Sequence, residues 1–258
     1  KLSVNCDMRI AIPQARPIKG NIEANIANHT KLVELAIAQG ADAIFFPELS
    51  ITGYEPSLAA ELATDISDNR LDIFPRISDK NNITIAVGLP THGKVGILIT
   101  MVIFQPGKPP QAYSKQHLHS DELPFFINGD KQVFISCDSQ TIAPGICYET
   151  SLPGHWENVH QHGASVYVAS VAKTAEGIER SAKIFSEMAR KYAMTVLLSN
   201  SLGPADNFLS AGKSAAWNPA GMLVAQLDDA REGILVYDTS TGLANSINID
   251  HPPRRHGD

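Results

Sequence analysis

Residues 40–50 read GADAIFFPELS and residues 163–172 read GASVYVASVA. Each places a Gly-Ala pair before a run that is apolar almost without interruption. A strand with one wet face alternates apolar and polar residues. A run such as these two is stable only when both faces are covered. NITIAVGLP (82–90), GILITMVIF (96–104), TIAPGICYE (141–149), TVLLSNSLG (195–203) and GILVYDT (233–239) have the same character. Helical patterns separate them. NIEANIANHTKLVELAIAQG (21–40) sets Ile22, Ile26, Val33, Leu35, Ala36 and Ile37 at roughly helical spacing, with Asn21 placed as N-cap and Gly40 as the stop. ERSAKIFSEMARKYAM (179–194) is rich in strong helix formers. Covered strands alternating with helices define an α/β fold. The two Gly-Ala stretches, each following a helix, form a short internal rhyme.

The remaining segments fit this frame. RIAIPQA (9–15) is a short buried strand, THGKV turns the chain between two strands, and AYSKQHL (112–118) is a further strand. KSAAWNPAGMLVAQL (213–227) reads as a hairpin turned by Asn218–Gly221. No linker interrupts the pattern, so a single domain is expected over residues 9–240. The polar, Pro-containing stretch 241–258 is expected as a peripheral tail. Residues 1–7 read as a tag remnant, with Met8 the natural start.

Charge and composition exclude several classes. The chain has 258 residues and a formal charge of −6. A phosphate-binding face needs clustered Lys and Arg, so no nucleic-acid partner is expected. No apolar run approaches the roughly 18–20 residues of a membrane span, and the first residues lack a secretory pattern. Three cysteines, an odd number in a chain of this length, do not form a disulfide framework. A cytoplasmic, reducing compartment is expected.

Three residues draw attention to chemistry. Glu48 closes a buried strand in FFPELSITGYEP, Lys115 lies in YSKQHL, and Cys147 ends a strand in APGICYET. Taken singly, each has an ordinary reading: a carboxylate at a wet sheet edge, an outward lysine, a small buried hydrophobe. Together they fit one task. A thiol attacks a carbonyl once a base takes its proton. The tetrahedral intermediate needs positive charge or hydrogen-bond donors at its oxygen. Lys115 and the backbone N–H of Tyr148 are candidates for those donors.

The ordered blocks resemble the nitrilase superfamily of carbon–nitrogen hydrolases. FFPELSITGYEP, GLPT (88–91), YSKQHL, GICYE, GASVYVASVA, LLSNSLG and GKSAAWNPAG carry the resemblance, which runs from about Arg9 to Asp238. It implies a four-layer αββα sandwich that pairs through its helical layer into at least a dimer; AKIFSEMARKYAM is a candidate for a pairing face. It implies Glu48 as base, Lys115 as the oxyanion-stabilising residue and Cys147 as nucleophile. A second glutamate follows the lysine in this family. Glu122 in LHSDELPFF is the better match, and Asp121 is its rival. The resemblance implies no metal and no cofactor. Branches with membrane helices or an appended synthetase domain are set aside, and CYE differs from the cysteine context of true nitrilases. The expected activity is thiol-dependent amidase action on a small-molecule amide. Hydrolysis of N-carbamoyl compounds or ω-amides of dicarboxylic acids is the alternative, and a catalytically dead scaffold is the alternative of another class.

Other patterns carry less. His117 and His119 have metal-ligand spacing on a strand, but no third ligand stands at a recognisable spacing. GICYE lacks the local signature of papain-like enzymes. Cys6 falls in the tag-like leader and Cys137 on no matching block. The segment after Cys147, CYETSLPGHW, holds no arginine, and Tyr54, Phe125, Phe126, Trp156 and Ser170 are expected around the pocket. A buried substrate carboxylate without a cation is costly. Neutral aliphatic or aromatic amides are therefore expected to be preferred, unless Lys173 or Arg180 reaches in. The ratio of kcat/KM for a neutral amide and its carboxylate-bearing analogue measures this.

Overall fold

In the computed structural model, which describes residues 8–137 and 140–249, the elements follow one another in chain order. The first half holds β1 (Arg9–Gln14), α1 (Ile22–Ala38), β2 (Ala43–Phe45), α2 (Ala59–Leu62), α3 (Ile73–Asn81), β3 (Thr84–His92), β4 (Ile97–Phe104) and β5 (Gln111–Ser114). The middle holds β6 (Ile135–Cys137), β7 (Gln140–Ile146), α4 (Pro153–Gln161), β8 (Val166–Val171), α5 (Ala175–Tyr192) and β9 (Thr195–Asn200). The last part holds β10 (Leu202–Ala205), β11 (Phe208–Ala211), β12 (Ala215–Trp217), β13 (Leu223–Gln226), β14 (Glu232–Asp238) and β15 (Ala244–Ile249). The expectations for residues 1–7, including Cys6, and the last part of the tail lie outside the described residues, as does the side chain of Cys137.

Period-2 alternation along the strands sets the layers. β1 sends Ile10 and Ile12 to one core and Ala11 to another, and β2 sends Phe45 one way and Ile44 the other. The described strands form a seven-stranded sheet, β15-β14-β1-β2-β3-β4-β5, and a six-stranded sheet, β13-β12-β9-β8-β7-β6. A short β10–β11 ribbon stands apart from both. The inner faces meet in a core where Ile10, Phe45, Met101 and Tyr113 of the first sheet pack with Ile142, Val168 and Leu197 of the second. The outer face of the first sheet is covered by α1 and α3, through Leu32, Val33, Ala36 and Phe74. The outer face of the second is covered by α4 and α5, through Trp156, Val159, Ile178 and Phe185. The fold is therefore a four-layer αββα sandwich, and the unbroken apolar runs are strands buried between a sheet and a helical layer. Two hydroxyls stitch the sheets together: Ser170 Oγ donates to Phe46 O at 2.7 Å and Ser199 Oγ to Pro13 O at 2.7 Å.

Several boundaries differ from the sequence reading, each for a local reason. The strand read over 42–49 stops at Phe45. Pro47 has no N–H to give a ladder, and Leu49 takes a left-handed φ of 49°. The strand read over 112–118 stops at Ser114, which leaves Lys115 at the start of a loop. Helix α5 starts four residues before the predicted Glu179, because Thr174 caps it by accepting from Gly177 N at 3.2 Å. Within the segment expected as a tail, β15 pairs antiparallel with β14 from Ala244 to Ile249 and forms the edge of the first sheet.

Phe185 is fully buried, with its ring 5.8 Å from Trp156 and 5.4 Å from Trp217. It locks α5 to the second sheet. Phe185→Ala should cost about 3–5 kcal/mol of stability, read as the shift in a denaturant or thermal midpoint; an unchanged midpoint would contradict this packing.

Candidate active site

Three chain segments that leave the C-terminal ends of strands converge here. Glu48 sits in the turn after β2, Lys115 directly after β5 and Cys147 directly after β7. Crevices outside the carboxyl ends of strands are where sheets of this kind place ligands. The Glu48 turn crosses β3 closely at Gly88, where a Cβ would stand 2.5 Å from Leu49 N and 2.7 Å from Pro47 O. Only glycine allows this approach. Cys147 opens a short 3-10 turn with φ at 45°, a left-handed conformation that is uncommon outside glycine. The neighbouring Gly145 lies under Tyr167, with no space for a side chain.

Glu149 fixes this elbow. One carboxylate oxygen accepts from Ile146 N at 2.7 Å and from the Tyr113 hydroxyl at 2.7 Å. The other accepts from Gln116 N at 2.5 Å and His117 N at 3.3 Å. A single buried carboxylate thus ties the backbone beside Cys147 to the backbone beside Lys115. His155 backs it, 3.1 Å from the Tyr113 hydroxyl and 3.0 Å from the Tyr167 hydroxyl.

Lys115 is fully buried and donates to Glu48 Oε1 at 2.8 Å and to Glu122 Oε1 at 2.6 Å. Glu122 is in turn held by the Tyr54 hydroxyl at 3.0 Å and by His119 N at 2.8 Å. Asp121, its rival in sequence, is exposed and pairs with His119. Glu48 Oε2 is buried and has no hydrogen-bond partner among the described residues. Burial pushes the Glu48 carboxyl up to about 7, although the Lys115 charge opposes this. Burial, then the Glu48 charge, push the Cys147 thiol up to about 12, against the pull of Lys115 and Lys173. Burial works against the Lys115 ammonium, but Glu48, Cys147 and Glu122 together raise it above the ordinary lysine value. The resting site therefore holds a neutral thiol, a permanent cation and a carboxylate poised to titrate near neutrality.

A cleft of about 410 Å³ opens onto these groups, a volume suited to a small molecule. Its lining includes Tyr54, Glu122, Cys147, Lys173, Arg180 and Phe208. Of the side chains expected around the pocket, Tyr54 is in the wall and four are elsewhere. Phe126 belongs to the core between the sheets, and Phe125 is exposed outside the cleft. Trp156 is buried under α4, stacked 3.8 Å from Tyr167, with its indole N–H donating to Thr150 O at 3.0 Å. Ser170 is spent on the bond to Phe46 O. Trp156 follows the cysteine closely in sequence, but the helix that carries it turns it into the core.

Strand register supplies what sequence proximity missed. β7 and β8 run parallel with Ile146 opposite Ser170, so the residues beyond each strand emerge side by side. Lys173 thus stands next to the Cys147 loop, with Nζ 3.3 Å from Thr150 Oγ1. Lys173 and Arg180, the two cations left open to reach in, both line the cleft. Glu149 was also overlooked as a functional residue, although it stands two positions after the cysteine. His117 and His119 are not on a strand, and among the described residues no three His, Cys, Asp or Glu side chains gather as a metal site.

The carbon-nitrogen hydrolase family model matches residues 9–248. The chain belongs to the carbon-nitrogen hydrolase family. It is a carbon–nitrogen hydrolase. Among solved structures it is similar to the nitrilase-superfamily amidase from Nesterenkonia sp. AN1. A cysteine-to-alanine variant of that protein in complex with butyramide superposes with a TM-score of 0.82 at 22% identity over 90% of each chain. A further crystal structure of an amidase from Nesterenkonia sp. gives the same TM-score, 0.82, at 23% identity over 90% of this chain and 89% of the other. Curated relatives are the glutamine-dependent NAD(+) synthetases of Aquifex aeolicus, 21% identical over 92% of this chain and 43% of the relative, and Acinetobacter baylyi, 22% identical over 95% and 46%. The hydrolase chain spans less than half the length of these relatives. No helix among the described residues is long and apolar enough to cross a membrane.

Gly88→Ala should force the Glu48 turn away from β3. Overpacking of this kind costs about 1–3 kcal/mol, and roughly 2–4 °C in Tm per kcal/mol for a chain of this size. A thermal melt equal to wild type would show that the turn does not depend on that close approach.

Proposed function

We propose that Glu48, Lys115 and Cys147 carry the hydrolysis, with Glu122 as the residue that holds Lys115. The observation that carries this reading is the Lys115 ammonium clamped between two buried carboxylates beside a cysteine on a left-handed elbow. Glu48 takes the thiol proton as Cys147 Sγ bonds to the amide carbon. The carbonyl oxygen becomes an oxyanion held by Lys115 Nζ and the Tyr148 N–H. That N–H lies in the first turn of the 3-10 element, where backbone donors lack an intrahelical acceptor. Glu48 then gives its proton to the amide nitrogen, the carbon–nitrogen bond breaks, and ammonia or an amine departs. Water attacks the thioester while Glu48 takes its proton. The carbon–sulfur bond breaks, Glu48 returns the proton to the departing sulfur to restore the thiol, and the acid leaves.

Support also comes from the Nesterenkonia amidase, a variant of which carries the acetamide moiety of fluoroacetamide on its active-site cysteine. An inactive scaffold would have no need of a lysine buried between carboxylates, an arrangement whose desolvation is costly. We infer a cytoplasmic setting, where a free thiol survives.

Cys147→Ala should abolish amide hydrolysis and leave the melt near wild type. Lys115→Gln and Glu48→Gln should each lose about 10²–10⁴-fold in kcat. Retention of more than about a tenth of the rate, only ~1.4 kcal/mol, would remove that residue from its role. The pH profile gives a second check. Below the raised Glu48 value of about 7 the carboxyl is protonated and cannot accept the thiol proton. The thiol value near 12 and the raised lysine put no descending limb below pH 10. We expect kcat/KM to climb with pH through about 7 and then level; a profile flat from pH 5 upward would exclude Glu48 as the base.

A further inference from the structure

Helix α1 carries two buried polar side chains, Asn25 and His29, that bond to the segment following Glu48. Asn25 Nδ2 donates to Ile51 O at 2.9 Å. His29 Nδ1 lies 2.7 Å from Asn25 O, and its Nε2 lies 2.9 Å from Ser50 Oγ. A carbonyl oxygen can only accept, so Nδ1 carries the ring proton and Nε2 accepts from the Ser50 hydroxyl. The same hydroxyl oxygen accepts from Gly88 N, 3.4 Å away. Burial pushes the His29 imidazole down to about 3, so at neutral pH the ring is uncharged and Nε2 remains an acceptor. The ring also stacks on Phe46, with centroids 4.0 Å and planes 19° apart. His29 therefore touches the residue two places before Glu48 and the residue two places after it.

The segment between those two contacts is strained. Ser50 N donates to Pro47 O at 3.3 Å, which makes Glu48 and Leu49 the central residues of a tight turn. Leu49 takes a φ of 49°, in the left-handed region that glycine enters freely and a bulky side chain does not. A backbone held in such a region persists only where its surroundings fix it. Strand β3 fixes it from one side, where Ile51 N donates to Gly88 O at 2.9 Å. Helix α1 fixes it from the other.

We propose that His29 is a positioning residue for the base: it clamps both flanks of the strained turn and so aims the Glu48 carboxylate at Lys115 and the thiol. This rests on the reading of Glu48 as base. His29 acts through Phe46 and Ser50 and is not in the lining of the cleft. The competing role is that of a satisfied core histidine that joins α1 to the first sheet. Such a residue contributes stability alone, so its replacement lowers the melt and leaves kcat per folded molecule unchanged.

The test reads kcat for ammonia release from valeramide, per folded molecule and well below the melt. His29→Phe keeps a ring for the Phe46 stack and removes the acceptor for Ser50. It should lower kcat about 10- to 100-fold, the cost of a base misplaced by about an ångström, with KM within about twofold. Ser50→Ala, a smaller change, removes the same bond from the other end and should lower kcat by a similar factor. The double variant should lose no more than the larger single loss, because both changes break one link. His29→Gln, whose side-chain oxygen can accept from Ser50, should recover most of the rate. A loss under about threefold in both single variants, losses that multiply in the double variant, or His29→Gln no better than His29→Phe would overturn the proposal. A crystal structure of His29→Phe judges the positioning without turnover. The Glu48–Lys115 contact, 2.8 Å in the intact chain, should open, and an unmoved Glu48 would also overturn the proposal. A wild type that releases no ammonia, together with a displaced Glu48 in the His29→Phe crystal, would fault the amidase reading and leave the positioning role standing.

Discussion

The contact on which the site depends is the Lys115 ammonium held between Glu48 and Glu122, with every partner out of water. A buried charge is tolerated only when it is paired and hydrogen-bonded, and removing one partner leaves the others uncompensated. The two carboxylates do not compete for the same job. Glu122 is saturated by Lys115, Tyr54 and the His119 N–H, so it is fixed in place. Glu48 keeps one oxygen without a partner and so keeps the capacity to accept a proton. Saturation separates a fixed carboxylate from one with an oxygen to spare in the same few ångströms.

That arrangement requires three loops from different strands of two sheets to meet with little play. Short hydrogen bonds supply the precision. Ser170 and Ser199 set the spacing of the two sheets, and Glu149 joins the Cys147 loop to the Lys115 loop through backbone N–H groups of both. Glycine then provides room where backbone must approach backbone or a ring, at Gly88 under the Glu48 turn and at Gly145 under Tyr167. The layers are stabilised mainly by apolar area, but the position of the site is set by these few polar ties, since apolar packing is not directional.

This division explains what could be read from the sequence. The covered strands and the helices were legible because period and burial are written into local residue choice, as in the α1 cap at Asn21, whose side chain accepts from Ala24 N at 3.1 Å. That Glu48, Lys115 and Cys147 come together was legible because each falls in a recognisable block. Phe125, Phe126, Trp156 and Ser170 are not in the lining of the cleft, since local sequence does not say to which side of a strand or loop a side chain turns. Lys173 and Arg180 could be mentioned but not placed, because their position depends on β8 lying parallel beside β7, a pairing between segments more than twenty residues apart. A residue just past the end of such a neighbouring strand is the signal that would have located Lys173.

The resting charge state also constrains how the thiol can react. A cysteine activated as a thiolate–cation pair needs a cation that is not already claimed, and Lys115 is claimed twice over. With Glu48 beside it, an anionic sulfur would add a further negative charge to a dry pocket, which is why the thiol stays protonated far above neutrality. In the mechanism we propose, proton transfer to Glu48 during attack avoids this: the negative charge leaves the carboxylate as it appears on the substrate oxygen, and the net charge of the site does not change. Lys115 faces negative charge before and after the step, so its ammonium needs little reorganisation, the condition under which a preorganised electrostatic site lowers a barrier. The raised carboxyl of Glu48 and the raised thiol of Cys147 are thus two consequences of one dry environment, and they make the pair reactive only when a carbonyl is present to take up the charge.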